Sequence, residues 1–232
     1  MKPKRDPTTT GIGIWLQRVL RPGSVMMDIG ANVGDYSAVA AAAVGPSGHV
    51  YAFEPGPENL AKLRHRFQSV SYVSVIPAAA GDESGAVTFF LDRRDGTRHS
   101  LAAGNIGKAG QVITVTQVAL DDYCDRVSRL DAVKIDAQGA ELSIIRGAHR
   151  LLTKFRPQIV LELWPHGLHT CGASGDLLLT ALKEMGYAVH RLSAKGPLKP
   201  ERFIDEFLRI RTSQRWSSIN IVAVWPGAAP WK

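Results

Sequence analysis

Asp28-Ile29-Gly30-Ala31-Asn32-Val33-Gly34-Asp35-Tyr36-Ser37 stands between the apolar run Val25-Met26-Met27 and an alanine-rich stretch that continues to Val44. The run before it has the length and composition of a buried strand, and the stretch from about Asp35 to Val44 is strong helix-forming sequence. Between them, Gly30 suits a turn where the backbone must approach a ligand, because a Cβ there would collide or demand unfavourable dihedrals. The small side chains of the helix permit close packing on a sheet. Strand, glycine-opened turn and helix in that order predict the first unit of a mainly parallel α/β sheet.

The rest of the chain extends that unit. Upstream, Ile14, Trp15, Val19 and Leu20 form an amphipathic lead-in that stops at Arg21-Pro22-Gly23. Downstream, Gly45-Pro46-Ser47-Gly48 ends the helix and His49-Val50-Tyr51-Ala52-Phe53 reads as strand two. The next helix begins at Pro57-Glu58, good first-turn chemistry, and places Leu60, Leu63 and Phe67 on one stripe. Strand three falls near Val73 to Pro77, and Ala79-Ala80-Gly81-Asp82 leaves it. Gly85 to Gln117 changes character: two β-rich runs, Ala86 to Leu91 and Gln111 to Val118, flank a Gly/Arg-rich stretch from Asp92 to Gly110. This reads as an antiparallel insertion whose long tip carries function or is disordered. Strand four is Ala132-Val133-Lys134-Ile135-Asp136, followed by one helix through Leu142, Ile145, His149 and Leu152. Strand five is Gln158 to Leu163, a helix runs from Leu177 to Met185, and strand six is Tyr187 to Leu192. Phe203, Ile204, Phe207 and Leu208 mark a last helix before a seventh strand at Ser218 to Trp225. The expected organisation is a tail and lead-in helix over residues 1–23 and one domain over 24–232.

The turn after strand one also carries the ligand signal. Glu54 ends strand two, where a carboxylate can take both hydroxyls of a ribose. A dinucleotide fingerprint needs glycines two and five residues after Gly30, so that a pyrophosphate can sit on the helix N-terminus. Those places hold Asn32 and Asp35, and the acidic helix start would repel pyrophosphate. A cationic sulfonium nucleoside suits the turn better. Contacts to it are expected from Asp28, Gly30, Asn32, Gly34, Tyr36 and Ser37, from Glu54, and from Ala80 and Asp82 at the adenine end.

Composition narrows the class. Hydrophobic residues make up 45% and charged residues 21% of 232, which describes a globular chain large enough for a sizeable core. No run approaches the ~18 apolar residues of a membrane span, and the polar, Pro-broken start lacks a secretory pattern. Cys124 and Cys171 are isolated, so neither a disulfide framework nor a zinc cluster is expected, and a reducing cytoplasm is the expected setting. The net charge of +7 favours an anionic partner, whether nucleic acid, a phosphorylated substrate or a membrane surface. The basic residues are scattered, though, and fit a solvated surface equally well. Nothing in the sequence speaks to oligomeric state, a homodimer included.

Three blocks together resemble the FkbM family of methyltransferases: Asp28-Ile29-Gly30-Ala31-Asn32-Val33-Gly34, Tyr51-Ala52-Phe53-Glu54-Pro55, and Lys134-Ile135-Asp136-Ala137-Gln138-Gly139-Ala140-Glu141. Arg146-Gly147-Ala148 and Arg156-Pro157-Gln158-Ile159-Val160-Leu161-Glu162 extend the resemblance over about residues 24–165. It implies a class I methyltransferase, Rossmann-like fold with a seven-stranded, mostly parallel sheet and an antiparallel last strand. It also implies S-adenosyl-L-methionine as donor and O-methylation of a sugar, glycoside or natural-product hydroxyl. The family's fourth-strand motif often has glutamate where this chain has Gln138, which puts a charge-dependent role there in doubt.

Reacting groups in open α/β sheets sit at the carboxyl ends of strands. That rule selects Asp136 as base or metal ligand, with Glu162, Trp164 and His166 after strand five. Lys134 and Glu141 rank second, Lys134 as a neutraliser of Asp136 and Glu141 as a helix-start residue. His166 and His169 are expected in a loop over the site. Asp136, Glu162 and His166 are donor types a divalent metal accepts, but no spacing calls for one. Arg93-Arg94-Asp95-Gly96-Thr97-Arg98-His99-Ser100 is the candidate substrate lid, able to grip an anionic group through its arginines. Two other readings stand beside small-molecule O-methylation. Ribose 2′-O-methylation of nucleic acid fits the charge, whereas the loops of base-modifying enzymes are missing. A non-catalytic cofactor-binding module fits Gln138.

Overall fold

The computed structural model describes residues 6–92, 99–106, 110–192, 207–208 and 217–227. Seven strands form the main sheet: β1 (Val25–Ile29), β2 (His49–Phe53), β3 (Val73–Ile76), β7 (Ala132–Ile135), β8 (Gln158–Leu163), β9 (Ala188–Arg191) and β10 (Ile219–Val224). Their spatial order is β3-β2-β1-β7-β8-β10-β9. All neighbours are parallel except β10, which runs antiparallel to both β8 and β9. The expected α/β class, strand number and reversed last strand are therefore present.

Helices cover both faces, which is why the central strands are continuous apolar runs. On one face α1 (Gly11–Val19), α2 (Asp35–Val44) and α3 (Pro57–Phe67) bury Trp15, Leu16, Ala40, Val44, Leu63 and Phe67. On the other, α4 (Glu141–Arg146), α5 (His149–Phe155), α6 (Pro165–Thr170) and α7 (Gly175–Glu184) bury Ile144, Ile145, Leu151, Leu152, Leu168, Leu178 and Leu182. The chain leaves β1 towards β2 on one side and leaves β7 towards β8 on the other. That reversal opens a crevice at the carboxyl ends of β1 and β7, where open α/β sheets bind ligands.

The segment read as an insertion is a second sheet of order β4-β6-β5, built from β4 (Ala79–Gly81), β5 (Gly85–Leu91) and β6 (Gln111–Ala119). β5 and β6 are antiparallel, as expected. Ala79–Gly81, expected just beyond strand three, forms a strand parallel to β6, which ties the insertion to the end of β3.

Two other expectations are corrected. The helix expected through Leu142 and Leu152 is two short helices, α4 and α5, with Gly147 between them. A Cβ on Gly147 would lie 1.9 Å from the Gly81 carbonyl oxygen, so β4 packs where only glycine fits. His166 and His169 lie on α6 rather than in a loop, with Pro165 in its first turn. Of the last helix, Phe207 and Leu208 are helical, and Phe203 and Ile204 lie outside the described residues. Among the described residues no helix is long and apolar enough to cross a membrane, and Cys124 and Cys171 are free.

Candidate active site

The site begins at the turn after β1. Gly30 has φ +73°, and a Cβ there would stand 2.0 Å from the Asp136 carbonyl oxygen. The turns after β1 and β7 thus meet backbone to backbone, and only glycine permits it. Asn32 follows in the left-handed region at φ 54°, a conformation asparagine tolerates better than most residues. Its backbone N–H donates to Glu54 Oε2 at 2.8 Å, and the Gly56 N–H donates to Glu54 Oε1 at 2.8 Å. Glu54 is thereby fixed on both oxygens at the end of β2.

A cleft of about 610 Å³, counting space open to solvent, lies above these turns. Gly30, Asn32, Glu54 and Asn59 line one part, and Asp136, Ala137 and Gln138 another. Ile29 and Ala78 to Ala80 form an apolar floor. Phe89, His99 and Leu101, all from the insertion, complete the wall. Of the residues expected to contact the donor, Gly30, Asn32, Glu54 and Ala80 line this cleft. Arg93 to Arg98 of the expected lid lie outside the described residues. Phe89, Asn59 and Leu101 were not foreseen, because nothing local in the sequence distinguishes a wall residue from a core residue.

Several expected contact residues lie beneath the cleft and support it. Asp28 is fully buried; it accepts from Ser37 Oγ at 2.6 Å and pairs with Lys134 Nζ at 3.0 Å. Lys134 Nζ also donates to the Gly30 carbonyl at 2.9 Å and lies 5.6 Å from the Tyr36 ring centroid. Burial opposes its charge, but the Asp28 and Asp136 carboxylates and the Asp28 hydrogen bond outweigh that and hold Lys134 above the ordinary lysine value. Asp28, Tyr36, Ser37 and Lys134 therefore brace the glycine turn from below and do not line the cleft. Gly34 serves packing: a Cβ would meet Leu63 and Phe67 at 2.6 Å. Asp82 is exposed and accepts from Ser143 Oγ at 3.0 Å, away from the cleft. His166 packs its ring 5.8 Å from that of Trp164, and His169 is exposed; neither lines the cleft.

At the other end, Gln138 joins two acids. Its Nε2 donates to Asp136 Oδ1 at 2.8 Å and to Glu162 Oε2 at 3.1 Å. Ser218 Oγ donates to the other Glu162 oxygen at 2.6 Å. Glu141, fully buried, accepts from the Ala137 and Gly139 amides at 3.0–3.2 Å and so ties the loop after β7 to the start of α4. On the far side, Asn105 Nδ2 and Ser100 Oγ of the insertion both donate to the Gln138 carbonyl, at 2.8 and 2.9 Å. Among the described residues no group of three His, Cys, Asp or Glu side chains is arranged to hold a metal ion.

Three glutamates, Glu54 and Glu141 buried and Glu162 partly so, make stability depend on pH. Burial is the largest cause for each, pushing Glu54 and Glu162 up to about 7 and Glu141 up to about 8 from an ordinary 4.5. A carboxyl whose folded value lies above its unfolded value keeps its proton longer in the folded state. Its stabilisation is complete below about pH 4.5 and is lost as pH rises through 7 to 8. The thermal midpoint of the free protein is therefore expected to fall between pH 5.5 and 8.5 by the equivalent of roughly a few kcal/mol, at ~1.4 kcal/mol per tenfold change in proton affinity. In E141Q the fall should be shallower. A midpoint that holds level over this window would show that the three acids are already ionised across it.

Residues 28–189 match the family model described as the methyltransferase FkbM domain. Among curated proteins, the chain is similar to the 2-O-methyltransferase NoeI of Sinorhizobium fredii, at 26% identity over 59% of this chain and 62% of that protein. Among solved structures, methyltransferase FkbM from Methylobacillus flagellatus KT superposes with a TM-score of 0.55 at 18% identity, covering 94% of this chain and 48% of that one. Precorrin-6y C5,15-methyltransferase from Geobacter metallireducens GS-15 gives 0.51 at 19% identity, covering 92% and 86%. The chain thus spans less than two thirds of the NoeI and FkbM chains it matches. At these identities the superpositions speak for the fold alone.

Proposed function

The chain belongs to the methyltransferase FkbM family, and from that premise we propose that it is an S-adenosylmethionine-dependent O-methyltransferase acting on a hydroxyl of a sugar, glycoside or natural product. The observation that carries the reading is the cleft itself, with a doubly held Glu54 at one end and Asp136 beside Gln138 at the other. The 2-O-methyltransferase activity named for NoeI supports a hydroxyl as acceptor.

S-adenosylmethionine supplies an electrophilic methyl group on a sulfonium. Glu54 takes the ribose hydroxyls, and the acidic lining favours the positive charge. The apolar wall of Ala78 to Ala80, Phe89 and Leu101 accepts the adenine and excludes water. Asp136 would take the proton from the acceptor hydroxyl, to whose oxygen the bound donor would supply the methyl group. Alignment and exclusion of water contribute roughly 7–11 kcal/mol in reactions of this kind, and the base a further ~10²- to 10⁴-fold.

Calorimetry with S-adenosylhomocysteine, followed by labelled methyl transfer to a panel of glycosides, phenols and RNA, tests the reading. Binding of the product cofactor and label on a glycoside hydroxyl are the expected results. No binding, or label on RNA alone, overturns it.

A further inference from the structure

The loop after β7 places two hydrogen-bond acceptors side by side at the base end of the cleft. One is the Asp136 carboxylate. The other is the amide oxygen of Gln138, whose orientation follows from its neighbours. Both hydrogen bonds of the side chain run through Nε2, to Asp136 Oδ1 at 2.8 Å and to Glu162 Oε2 at 3.1 Å. A carboxylate only accepts. Flipping the amide would set its oxygen against both acids, an arrangement satisfied only if both carried a proton. The nitrogen therefore faces the acids, and Oε1 is left as an acceptor to which none of the described residues donates. Gln138 lines the cleft.

The loop is also held rigidly. Gln138 sits in the left-handed region at φ 52°, which costs energy for a residue other than glycine and is kept where surroundings enforce it. Asn105 and Ser100 bind its carbonyl from the insertion side, and Glu141 binds the Ala137 and Gly139 amides from the α4 side. Such bracing is what a recognition group needs to keep its aim.

Resting on the methyltransferase reading above, we propose that Gln138 is a specificity-determining residue and that the acceptor is an uncharged vicinal diol. One hydroxyl gives its proton to Asp136 and receives the methyl group, while its neighbour donates a hydrogen bond to Gln138 Oε1. Two acceptors on residues joined by a 2.8 Å hydrogen bond match two hydroxyls on adjacent carbons. A site built to bind a hydroxyl discriminates against the analogue lacking it, because its own polar group is then left unpaired.

The test compares methyl glycopyranosides carrying adjacent hydroxyls with their monodeoxy counterparts, in the wild type, Q138M and Q138G. The wild type is expected to prefer the diol by at least ~10-fold in kcat/KM, mainly through KM, in line with discrimination by a lost hydrogen bond. In both variants the ratio should fall to within about 2-fold of unity, while affinity for S-adenosylhomocysteine stays within about 2-fold of wild type. Q138G also relieves the left-handed backbone, so its thermal midpoint should hold steady, a result that a merely structural role would not give. A preference that survives in the variants overturns the proposal. So does a loss of S-adenosylhomocysteine affinity, which would assign Gln138 to the donor, or a failure of both variants to fold. A wild type that binds S-adenosylhomocysteine but methylates no glycoside overturns the reading beneath, and this inference with it.

Discussion

D136N is expected to lower turnover by about 10²- to 10⁴-fold, the range a positioned general base contributes, while donor affinity changes by less than about 3-fold. Asparagine keeps the shape of aspartate and an oxygen that can accept from Gln138 Nε2, so the loop after β7 should retain its course. The backbone contact that shapes the site is untouched as well, since the Asp136 N–H donates to the Ile29 carbonyl at 3.0 Å whatever the side chain. What disappears is the capacity to take a proton from the acceptor hydroxyl. Single-turnover methyl transfer from preloaded donor measures that step directly, and calorimetry measures the donor separately. Equal losses in both would move Asp136 to the donor's binding set. Unimpaired turnover would give the proton to another group, and Glu162, joined to Asp136 through Gln138, would be the next to replace.

The parts of this molecule that were legible in the sequence are those set by local chemistry. Strand β1, the Gly30 turn and α2 follow from residues adjacent in the chain, and Glu54 follows from its place at the end of the next strand. The side of the floor on which a residue falls was not legible. Asp28 looked like a ligand contact because it precedes the glycine turn. β1 is a central strand paired on both edges, and Asp28 is spent on Ser37 and Lys134 inside the protein. The same long-range pairing explains why Lys134 braces the turn rather than serving Asp136 alone. Phe89 and Leu101 enter the cleft only because the insertion folds back over it, a tertiary event without a periodic signature, and Asn59 reaches it from the first turn of α3. α6 did carry a sign: Pro165 after Trp164 is a good helix start, easily taken for a loop marker. Gly147 likewise announces a close approach without naming its partner, which is the Gly81 carbonyl.

Glu54 should dominate donor binding. On the proposed reading E54A removes the acceptor for two ribose hydroxyls, and it strands the Asn32 and Gly56 amides that now donate to it. Hydrogen bonds to a charged group are worth ~1.5–3 kcal/mol each, so a loss of about 3 kcal/mol, or roughly 100-fold in Kd, is expected. The pH dependence gives a sharper test. Burial raises Glu54 to about 7 in the free protein, against the pull of the two amides and Lys134. A protonated carboxyl turns one oxygen into a donor, accepts more weakly there, and offers no charge to a sulfonium. The donor therefore binds the ionised form, and binding expels a proton wherever Glu54 still holds one. Affinity should rise with pH by up to tenfold per unit below about 7 and level off above it. In E54Q the same curve should be flat, and wild type and variant should converge as pH falls. Calorimetry in buffers of different ionisation enthalpy would count the released proton directly. A wild-type affinity indifferent to pH from 5.5 to 8.5, or an E54Q curve that keeps the wild-type slope, would take Glu54 out of the donor site.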